Sequence, residues 1–209
     1  MAIEPINFVV FLMGPTASGK TELAIEISKH INSKLISVDS ALIYRGMDIG
    51  TAKPSKEILT AYPHELVDIC EPEDSFSVTE FISLAKKHIK SALAEGKLPI
   101  LVGGTSFYFN ALEHGLSELP SSTDESRKHF NDLLKSEGSV KLHSKLTEID
   151  PKSAARIHSN DSQRVTRALE VFHLSGETLS KLQGKKNQNK LDLNIKKIVL
   201  MPDRAMLHQ

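Results

Sequence analysis

The sequence predicts an α/β domain, built on a parallel sheet with flanking helices, that is interrupted by an all-helical insertion domain. Short apolar runs, typical of buried parallel strands, alternate with helical patterns over residues 1–119 and return at 191–209. Between these parts, residues 120–190 show helical periodicity without a convincing strand. We therefore predict a core formed by 1–119 with 191–209 and a separate helical domain at 120–190.

The first predicted strand runs into a glycine-rich loop. Phe8–Met13 is a run of β-forming residues, and Gly14–Thr21 then matches the pattern G-x-x-x-x-G-K-[ST] in full. In such a loop the backbone N–H groups point at one anion, and the N-terminal end of the following helix adds positive charge. The alternative is an ordinary strand-turn-helix with incidental glycines. The pattern favours a P-loop NTPase-like fold that binds a phosphate chain.

The predicted diphosphate- or nucleotide-binding residues are consecutive. They are Gly14, Pro15, Thr16, Ala17, Ser18, Gly19, Lys20 and Thr21. Lys20 supplies a mobile cation, and the hydroxyl of Thr21 is the predicted ligand of a magnesium ion, the cofactor that we expect. On this motif alone, ATP binding and phosphoryl transfer are the default expectation.

The other core elements follow in chain order. They are a helix from Leu23, a strand at 34–39, a polar loop at 40–54, a strand at 66–70, a helix from the capping box Ser77–Glu80 to Gly96, and a strand at 98–102 that leads into Gly103-Gly104-Thr105. Ligands of such folds bind at the carboxyl ends of the strands. Gly14–Thr21, Asp39 and Thr105 are all predicted to lie at that edge.

The insertion is predicted from helical patterns and caps. Helices are expected at 124–135, 140–149, 152–157 and 162–174, followed by a polar linker at 184–190 and a returning strand at 195–201. The residues after Pro202 resemble the first turns of a helix with nothing to pack against. We therefore expect the chain to be part of a longer protein.

Charge is distributed unevenly along the chain. The formal net charge is zero, which argues against a uniformly basic nucleic-acid binder, but residues 120–190 carry 13 Lys/Arg and 9 Asp/Glu. Residues 1–119 carry 10 and 15. The asymmetry indicates that the insertion meets a polyanion. The alternative is a charged helical face that is simply solvated. For Lys185, Lys186 and Lys190, the sequence favours equally a contact with phosphates and a role in keeping the linker soluble.

Composition excludes several classes of protein. The single cysteine, Cys70, rules out an intramolecular disulfide and lies in an apolar run, so we expect a packing residue in a reducing compartment. The chain lacks a basic-then-apolar leader and an apolar run of membrane-spanning length. The nine histidines are scattered without ligand spacing, which disfavours zinc. We expect a cytoplasmic monomer that does not contact a membrane.

Five stretches carry a family resemblance. They are residues 38–54, Pro63-His64, 101–108, 154–158 and 160–170. Together they resemble the tRNA dimethylallyltransferase family (tRNA isopentenyltransferases) over essentially the whole chain, which would be the N-terminal two thirds of such a protein. The resemblance implies transfer of a dimethylallyl group from dimethylallyl diphosphate to N6 of the adenosine 3′-adjacent to the anticodon, with release of diphosphate. It implies tRNA, through its anticodon stem-loop, as the macromolecular partner.

Two predicted catalytic residues follow from this chemistry. An adenine amine is a poor nucleophile, so a carboxylate that takes its proton as the new bond forms would help, and we assign that role to Asp39. The alternative for Asp39 is a magnesium ligand, as in phosphoryl-transfer proteins. The resemblance places Thr105 against the flipped adenosine or a diphosphate oxygen. Its alternative role is a helix N-cap.

The resemblance also assigns tRNA contacts. The predicted contacts are Asp39, Ser40, Ala41, Leu42, Thr105, Arg127, Gln163, Arg164, Val165, Thr166 and Arg167. Arg164 and Arg167 lie on one face of a predicted helix, where paired guanidinium groups can grip phosphates and stack on unstacked bases. The alternatives are ion pairs with Asp161 or Glu170 for this pair, and simple solvation for Arg127.

Two other functions remain open from the sequence. A small-molecule or nucleotide kinase also combines a P-loop with an acid on a neighbouring strand. A non-catalytic RNA-binding fragment with a vestigial P-loop would use only the insertion. Members of the family continue beyond the point where this chain ends, so activity of these 209 residues alone is in question.

Overall fold

The structure, a computed structural model, describes residues 6–184, 190–203 and 205. Its packing divides the chain into two compact units, a core unit of residues 1–116 with 189–209 and a helical unit of residues 117–188. No helix within the described ranges combines the length and apolar character that crossing a bilayer requires.

The core unit contains a parallel sheet. Its strands are β1 (Phe8–Met13), β2 (Ser33–Val38), β3 (His64–Glu65), β4 (Leu98–Gly103) and β5 (Asn194–Val199). They are arranged in the order β3-β2-β4-β1-β5, and each neighbouring pair is parallel. β4, at the centre, is buried at every residue, as its apolar sequence predicts. The predicted parallel α/β fold is confirmed.

Helices cover both faces of this sheet. The helices of this unit are α1 (Lys20–His30), α2 (Lys56–Ala61), α3 (Val78–Ala94) and α4 (Ser106–His114). α1 packs on one face of the sheet and α3 and α4 pack on the other, whereas α2 has no buried residue. The predicted capping box at the start of α3 is present, because Ser77 and Glu80 bond each other's backbone N–H groups. Alternate residues of each strand pack on opposite faces. Val10 and Leu12 of β1 belong to a cluster with α1, whereas Phe11 packs with α3 and α4.

The predicted strand at 66–70 is wrong. The strand of this segment is the two-residue β3, and Leu66 and Asp68 have positive φ angles of 66° and 54°, which an extended strand excludes. Cys70 forms only an isolated parallel bridge with Tyr44. The backbone N–H groups of residues 68–70 donate to the carbonyl oxygens of Leu42 and Ile43. In addition, Leu66 is 2% exposed, and the carboxylate of Asp68 pairs with a buried lysine described below.

The helical unit is built from α5 (Asp124–Glu137), α6 (Ser139–Ile149), α7 (Pro151–Ala154), α8 (Ser162–Ser175) and α9 (Leu179–Gln183). The four predicted helices are confirmed with small shifts in their ends, and α9 was not predicted. Their apolar faces form one cluster centred on Leu142, Leu146 and Val165. The predicted linker at 184–190 and the predicted turns after Pro202 lie mostly outside the described residues.

Two buried carboxylates in the helical unit are fully engaged. Glu170 on α8 accepts hydrogen bonds from Ser122, Ser126 and Arg167. Asp150 caps α7 by accepting from the backbone and hydroxyl of Ser153, and it also accepts from the backbone N–H of Ser180 at 2.9 Å. Hydrogen bonding offsets the cost of burying these charges, so the two clusters tie the helices together.

Candidate active site

A cleft of about 370 Å³ opens in the core unit at the carboxyl ends of the strands. We call it the phosphate-loop cleft, because residues 16–21 of the predicted loop line one side of it. The other lining residues are Glu22, Ser37, Asp39, Leu42, Thr51, Ala52, Pro54, His64, Val67, Val102, Gly103 and Gly104. The cavity therefore lies at the edge of the sheet where we predicted the site, as expected for ligand sites of parallel sheets.

Glycines allow the backbone segments around the cleft to approach closely. A Cβ atom at Gly103 would lie 2.0 Å from the carbonyl oxygen of Val38, and one at Gly14 would lie 2.5 Å from that of Leu200. Gly19, at the N-cap of α1, has a φ of 80°, which favours glycine, whereas Ala17 takes a φ of 62° despite its Cβ. The strand ends and the loop can be this close only because no side chain stands between them.

Lys20 begins α1 and lies over the loop. Its ammonium group bonds the carbonyl oxygen of Pro15 and lies 3.4 Å from Ser18 Oγ. Burial lowers the pKa of Lys20, and the negative charges of Asp39 and Glu22 partly oppose that shift. The cation therefore lies within electrostatic range of Asp39, and an anion in the loop would replace contacts that the ammonium now makes with the loop itself.

Asp39 follows β2 and organises the loop after it. Its Oδ1 accepts a hydrogen bond from the backbone of Ala41 at 2.8 Å and a longer one from Leu42 at 3.4 Å. These bonds hold the carboxylate at the cleft and set the path of residues 40–42. The side chain is partly exposed, so it is accessible to a ligand.

Thr105 stands at the N-cap position of α4, but its side chain does something else. Within the described part of the chain its hydroxyl makes no capping bond. Instead Thr105 Oγ1 accepts a hydrogen bond from the backbone of Ser40 at 3.2 Å, and the backbone N–H of Thr105 donates to Val38. The N-cap alternative is therefore wrong for the side chain. Thr105 joins the ends of β2 and β4, which brings it next to the Asp39 loop.

The cleft suits a magnesium ion that is bound jointly with a phosphate ligand. Thr21 contributes a hydroxyl, and the carboxylate of Asp39, the predicted base, is the alternative donor in the same lining; magnesium prefers such oxygen donors. No group of three or more His, Cys, Asp or Glu side chains able to hold a metal occurs among the described residues. These donors therefore fit a magnesium ion that takes its remaining ligands from phosphate oxygens and water.

The wall opposite the loop depends on a lysine that was not predicted. Lys53 has a side chain only 3% exposed, and its ammonium binds the carbonyl oxygen of Tyr44, Asp48 at 2.8 Å and Asp68 at 2.6 Å. Burial alone lowers the pKa of Lys53, but the two ion pairs outweigh it and raise the pKa. The cation thus joins the segment 44–53 to the segment 66–70, and Thr51 and Val67 of these two segments line the cleft.

The floor of the cleft contains two polar side chains that were also not predicted as site residues. Ser37 of β2 is 2% exposed, and His64 of β3 holds its Nδ1 at 2.8 Å from the carbonyl oxygen of Tyr62. Neither Ser37 Oγ nor His64 Nε2 has a hydrogen-bond partner among the described residues. A serine within an otherwise apolar buried strand was the sequence signal available for this site.

Several predicted tRNA contacts of the helical unit are exposed. Arg127 Nη1 lies 3.8 Å from Asp124 Oδ1, and the arginine side chain is 59% exposed. Arg164 Nε lies 3.3 Å from Asp161 Oδ2, and this side chain is 73% exposed. Gln163 is also exposed. Exposed ion pairs of this kind cost little to break, so these arginines can take other partners.

Three other predicted contacts of α8 are engaged inside the unit. Val165 is fully buried and packs in the apolar cluster, so its side chain is not available to tRNA. Thr166 donates its hydroxyl to the carbonyl oxygen of Ser162. Arg167 binds Ser122, the carbonyl oxygen of Pro120 and Glu170, which is the ion-pair alternative for this residue. Arg164 and Arg167 therefore have different surroundings.

Comparison with known proteins identifies the family of the chain. The IPP transferase family matches residues 42–209. A protein named tRNA dimethylallyltransferase from Ruthia magnifica subsp. Calyptogena magnifica is 62% identical over 209 residues, which cover all of this chain and 68% of that protein.

Solved structures agree on the fold. The full-length tRNA isopentenylpyrophosphate transferase of Bacillus halodurans is 40% identical with a TM-score of 0.61, and the match covers 97% of this chain and 63% of that one. A eukaryotic dimethylallyltransferase described as acting on tRNA is 25% identical with a TM-score of 0.74 over 95% of this chain and 49% of its own. The chain thus spans about two thirds or less of these relatives, and it belongs to the IPP transferase family, a family of transferases.

Proposed function

We propose that this chain forms the reaction cleft of an enzyme that transfers a dimethylallyl group from dimethylallyl diphosphate to N6 of the adenosine 3′-adjacent to the anticodon of tRNA. The observation that carries the proposal is one cleft that joins the phosphate loop, Asp39 and the Thr105-linked strand ends. The 62% identity to a protein named tRNA dimethylallyltransferase supports this reaction.

The phosphate loop binds the leaving group. As the bond between C1 of the dimethylallyl group and the diphosphate oxygen breaks, its electron pair remains on the diphosphate. The N–H groups of the loop, the N-terminus of α1 and the ammonium of Lys20 stabilise that growing negative charge. A magnesium ion at Thr21 would add Lewis-acid stabilisation when bound. The loop thus holds a leaving group instead of the phosphoryl donor that a kinase would bind.

Asp39 accepts the proton of the nucleophile. The lone pair of the adenine N6 forms a bond to C1, the C1–O bond breaks, and one N6 proton passes to the carboxylate of Asp39. The hydrogen bonds from Ala41 and Leu42 orient this carboxylate, and Thr105 fixes the backbone of Ser40 beside it. Ser40, Ala41 and Leu42 would then lie against the flipped nucleotide. Asp39 serves as the base, with the magnesium-ligand role as the alternative that the experiments below distinguish.

The helical unit contributes tRNA contacts. Arg127, Gln163 and Arg164 are exposed and can meet the phosphates and unstacked bases of the anticodon loop. Thr166 and Arg167 would support this surface from within, because both side chains are bonded inside the unit. The net positive charge of residues 120–190 favours a polyanion on this unit.

The test is a transfer assay with the tRNA and nucleotide substrates in parallel. A version extended to the length of the matched relatives is incubated with labelled dimethylallyl diphosphate and undermodified tRNA, with AMP and ATP as controls. We expect label in tRNA and none in the free nucleotides. Phosphorylation that depends on ATP, without prenyl transfer, would instead identify a kinase.

A further inference from the structure

Two buried polar atoms at the floor of the phosphate-loop cleft lack partners in the protein. Ser37 Oγ and His64 Nε2 are the atoms, and both residues line the cleft. Leaving a buried polar group unpaired lowers stability, so such groups are rare unless a ligand or water completes them. Finding two of them on the floor of one cleft indicates a built polar subsite.

The sheet register places these two side chains on the same face. His64 of β3 pairs with Leu35 of β2, and Ser37 lies two residues further along β2, so Leu35, Ser37 and His64 all point toward the face covered by α1. The register partner of Ser37 in β4 is Val102, which also lines the cleft. The subsite therefore lies one step below Asp39 on the face from which α1 presents Thr21.

The histidine can only accept a hydrogen bond into this space. A carbonyl oxygen cannot donate, so the bond to Tyr62 requires the proton on Nδ1, and Nε2 of the neutral ring is then an acceptor. Burial lowers the pKa of His64, with the Tyr62 bond opposing, which favours the neutral ring. The hydroxyl of Ser37 can also accept. The subsite thus suits a ligand group that donates hydrogen bonds.

Neither part of the prenyl donor supplies such a group. The dimethylallyl chain is a hydrocarbon and the ionised diphosphate only accepts, whereas water bound to a magnesium ion donates strongly and magnesium retains several waters in protein sites. We infer that Ser37 and His64 form an outer-shell pair that accepts hydrogen bonds from water bound to the magnesium ion at Thr21. This inference rests on the proposed function, because the ion enters with the diphosphate.

The test measures the binding of inorganic diphosphate by calorimetry, with magnesium and with a chelator. Outer-shell partners typically change metal affinity by 10–100-fold. We expect Ser37→Ala and His64→Leu each to weaken the magnesium-dependent binding by about tenfold and to leave the metal-free binding unchanged. His64→Gln keeps an acceptor oxygen within reach of the same position and should restore most of the affinity.

Stability measurements separate a ligand role from a structural one. Ser37→Ala removes an unpaired hydroxyl, so the melting temperature of the ligand-free protein should stay constant or rise. Ser33→Ala is the matched control, because this serine lies on the same strand and its hydroxyl donates to Ser28 Oγ at 2.9 Å. It should leave diphosphate binding unchanged with and without magnesium.

Each other outcome has a definite meaning. Failure of the wild-type protein to bind diphosphate with magnesium would contradict the proposed function itself. If the wild type binds and the variants bind equally well, or lose affinity equally with and without the metal, the outer-shell role is overturned. A loss confined to tRNA binding would also overturn it and assign the pair to the adenine amine.

Discussion

Buried polar side chains behave differently in the two units. In the helical unit, Glu170 is 5% exposed and its carboxylate is saturated by Ser122, Ser126 and Arg167. In the core unit, Ser37 is 2% exposed and its hydroxyl has no partner within the described ranges. The first arrangement stabilises the fold, whereas the second lowers stability unless a ligand is bound. Satisfaction of hydrogen bonds thus distinguishes structural from ligand-binding polar residues more clearly than burial does.

The largest expected effect concerns activity in the cleft. Asp39→Asn retains the oxygen that accepts from Ala41 and Leu42 but cannot take a proton, so the rate of prenyl transfer should fall by about 10²–10⁴-fold. The melting temperature and the affinity for diphosphate with magnesium should change little. Turnover close to wild type would contradict the general-base role, and a parallel loss of magnesium-dependent affinity would favour the metal-ligand alternative.

In the helical unit the corresponding substitution should affect stability. Glu170→Ala leaves Arg167 and two serine hydroxyls without their acceptor, so the free energy of unfolding should fall by about 3 kcal/mol, the lower end for a broken buried pair because Arg167 is partly exposed. Denaturant unfolding, compared with Glu170→Gln, measures the loss. A variant as stable as wild type would show that the network is not structural.

The same carboxylate should make the helical unit sensitive to acid. Burial raises the pKa of Glu170, but the hydrogen bonds from Ser126, Ser122 and Arg167 outweigh it and lower the pKa below its ordinary value of 4.5. Its stabilising contribution is therefore complete above the pKa of the unfolded chain and is lost as the pH falls through the lower, folded pKa. Unfolding free energies between pH 7 and pH 3 should fall less steeply in Glu170→Gln than in wild type.

A smaller effect is expected at the wall of the cleft. Lys53→Met removes the cation that joins Tyr44, Asp48 and Asp68, and hydrogen bonds to charged groups contribute about 1.5–3 kcal/mol. The two carboxylates are partly exposed and can be hydrated, so we expect the free energy of unfolding to fall by about 1.5 kcal/mol, the low end of this range. Hydrogen exchange should accelerate in residues 44–54 and 66–70 and remain unchanged in the helical unit. Uniform acceleration would indicate global destabilisation instead.

The smallest effect on stability should come from an exposed arginine. Arg164→Ala breaks only a surface ion pair with Asp161, so the free energy of unfolding should change by less than about 1 kcal/mol. The affinity for tRNA should nevertheless fall, and its dependence on salt should become shallower. Arg167→Ala should show the opposite pattern, a clear fall in the free energy of unfolding with a smaller change in the affinity for tRNA. An unchanged tRNA dissociation constant for Arg164→Ala would remove that assignment.

The sequence predicts what depends on local pattern. Phe8–Thr21 could be identified because its strand, glycines and helix start are contiguous, and Ser77–Glu80 because a capping box spans one turn. The strand predicted at 66–70 failed because Leu66 and Asp68 adopt positive φ, a conformation accompanied by an ion pair to the distant Lys53. No local pattern reports such a contact.

The predicted site was incomplete for the same reason. Ser37 and His64 are brought to the same cleft only by the register of two strands, which is a tertiary property. The pattern of α8 placed Arg164 and Arg167 together but could not show that Glu170 and Ser122 hold only the second arginine. Residue type and spacing therefore predicted the chemistry of the site, and packing decided which side chains are available for it.

The position of β5 has a consequence for how the protein is made. β5 pairs with β1 from nearly the opposite end of the chain, and Leu200 donates a hydrogen bond to Met13 and lies against Gly14. During synthesis, the helical unit is complete before this strand leaves the ribosome, and such long-range pairings form slowly. The loop Gly14–Thr21 is thus translated long before β5 and Leu200, the segments that complete its surroundings.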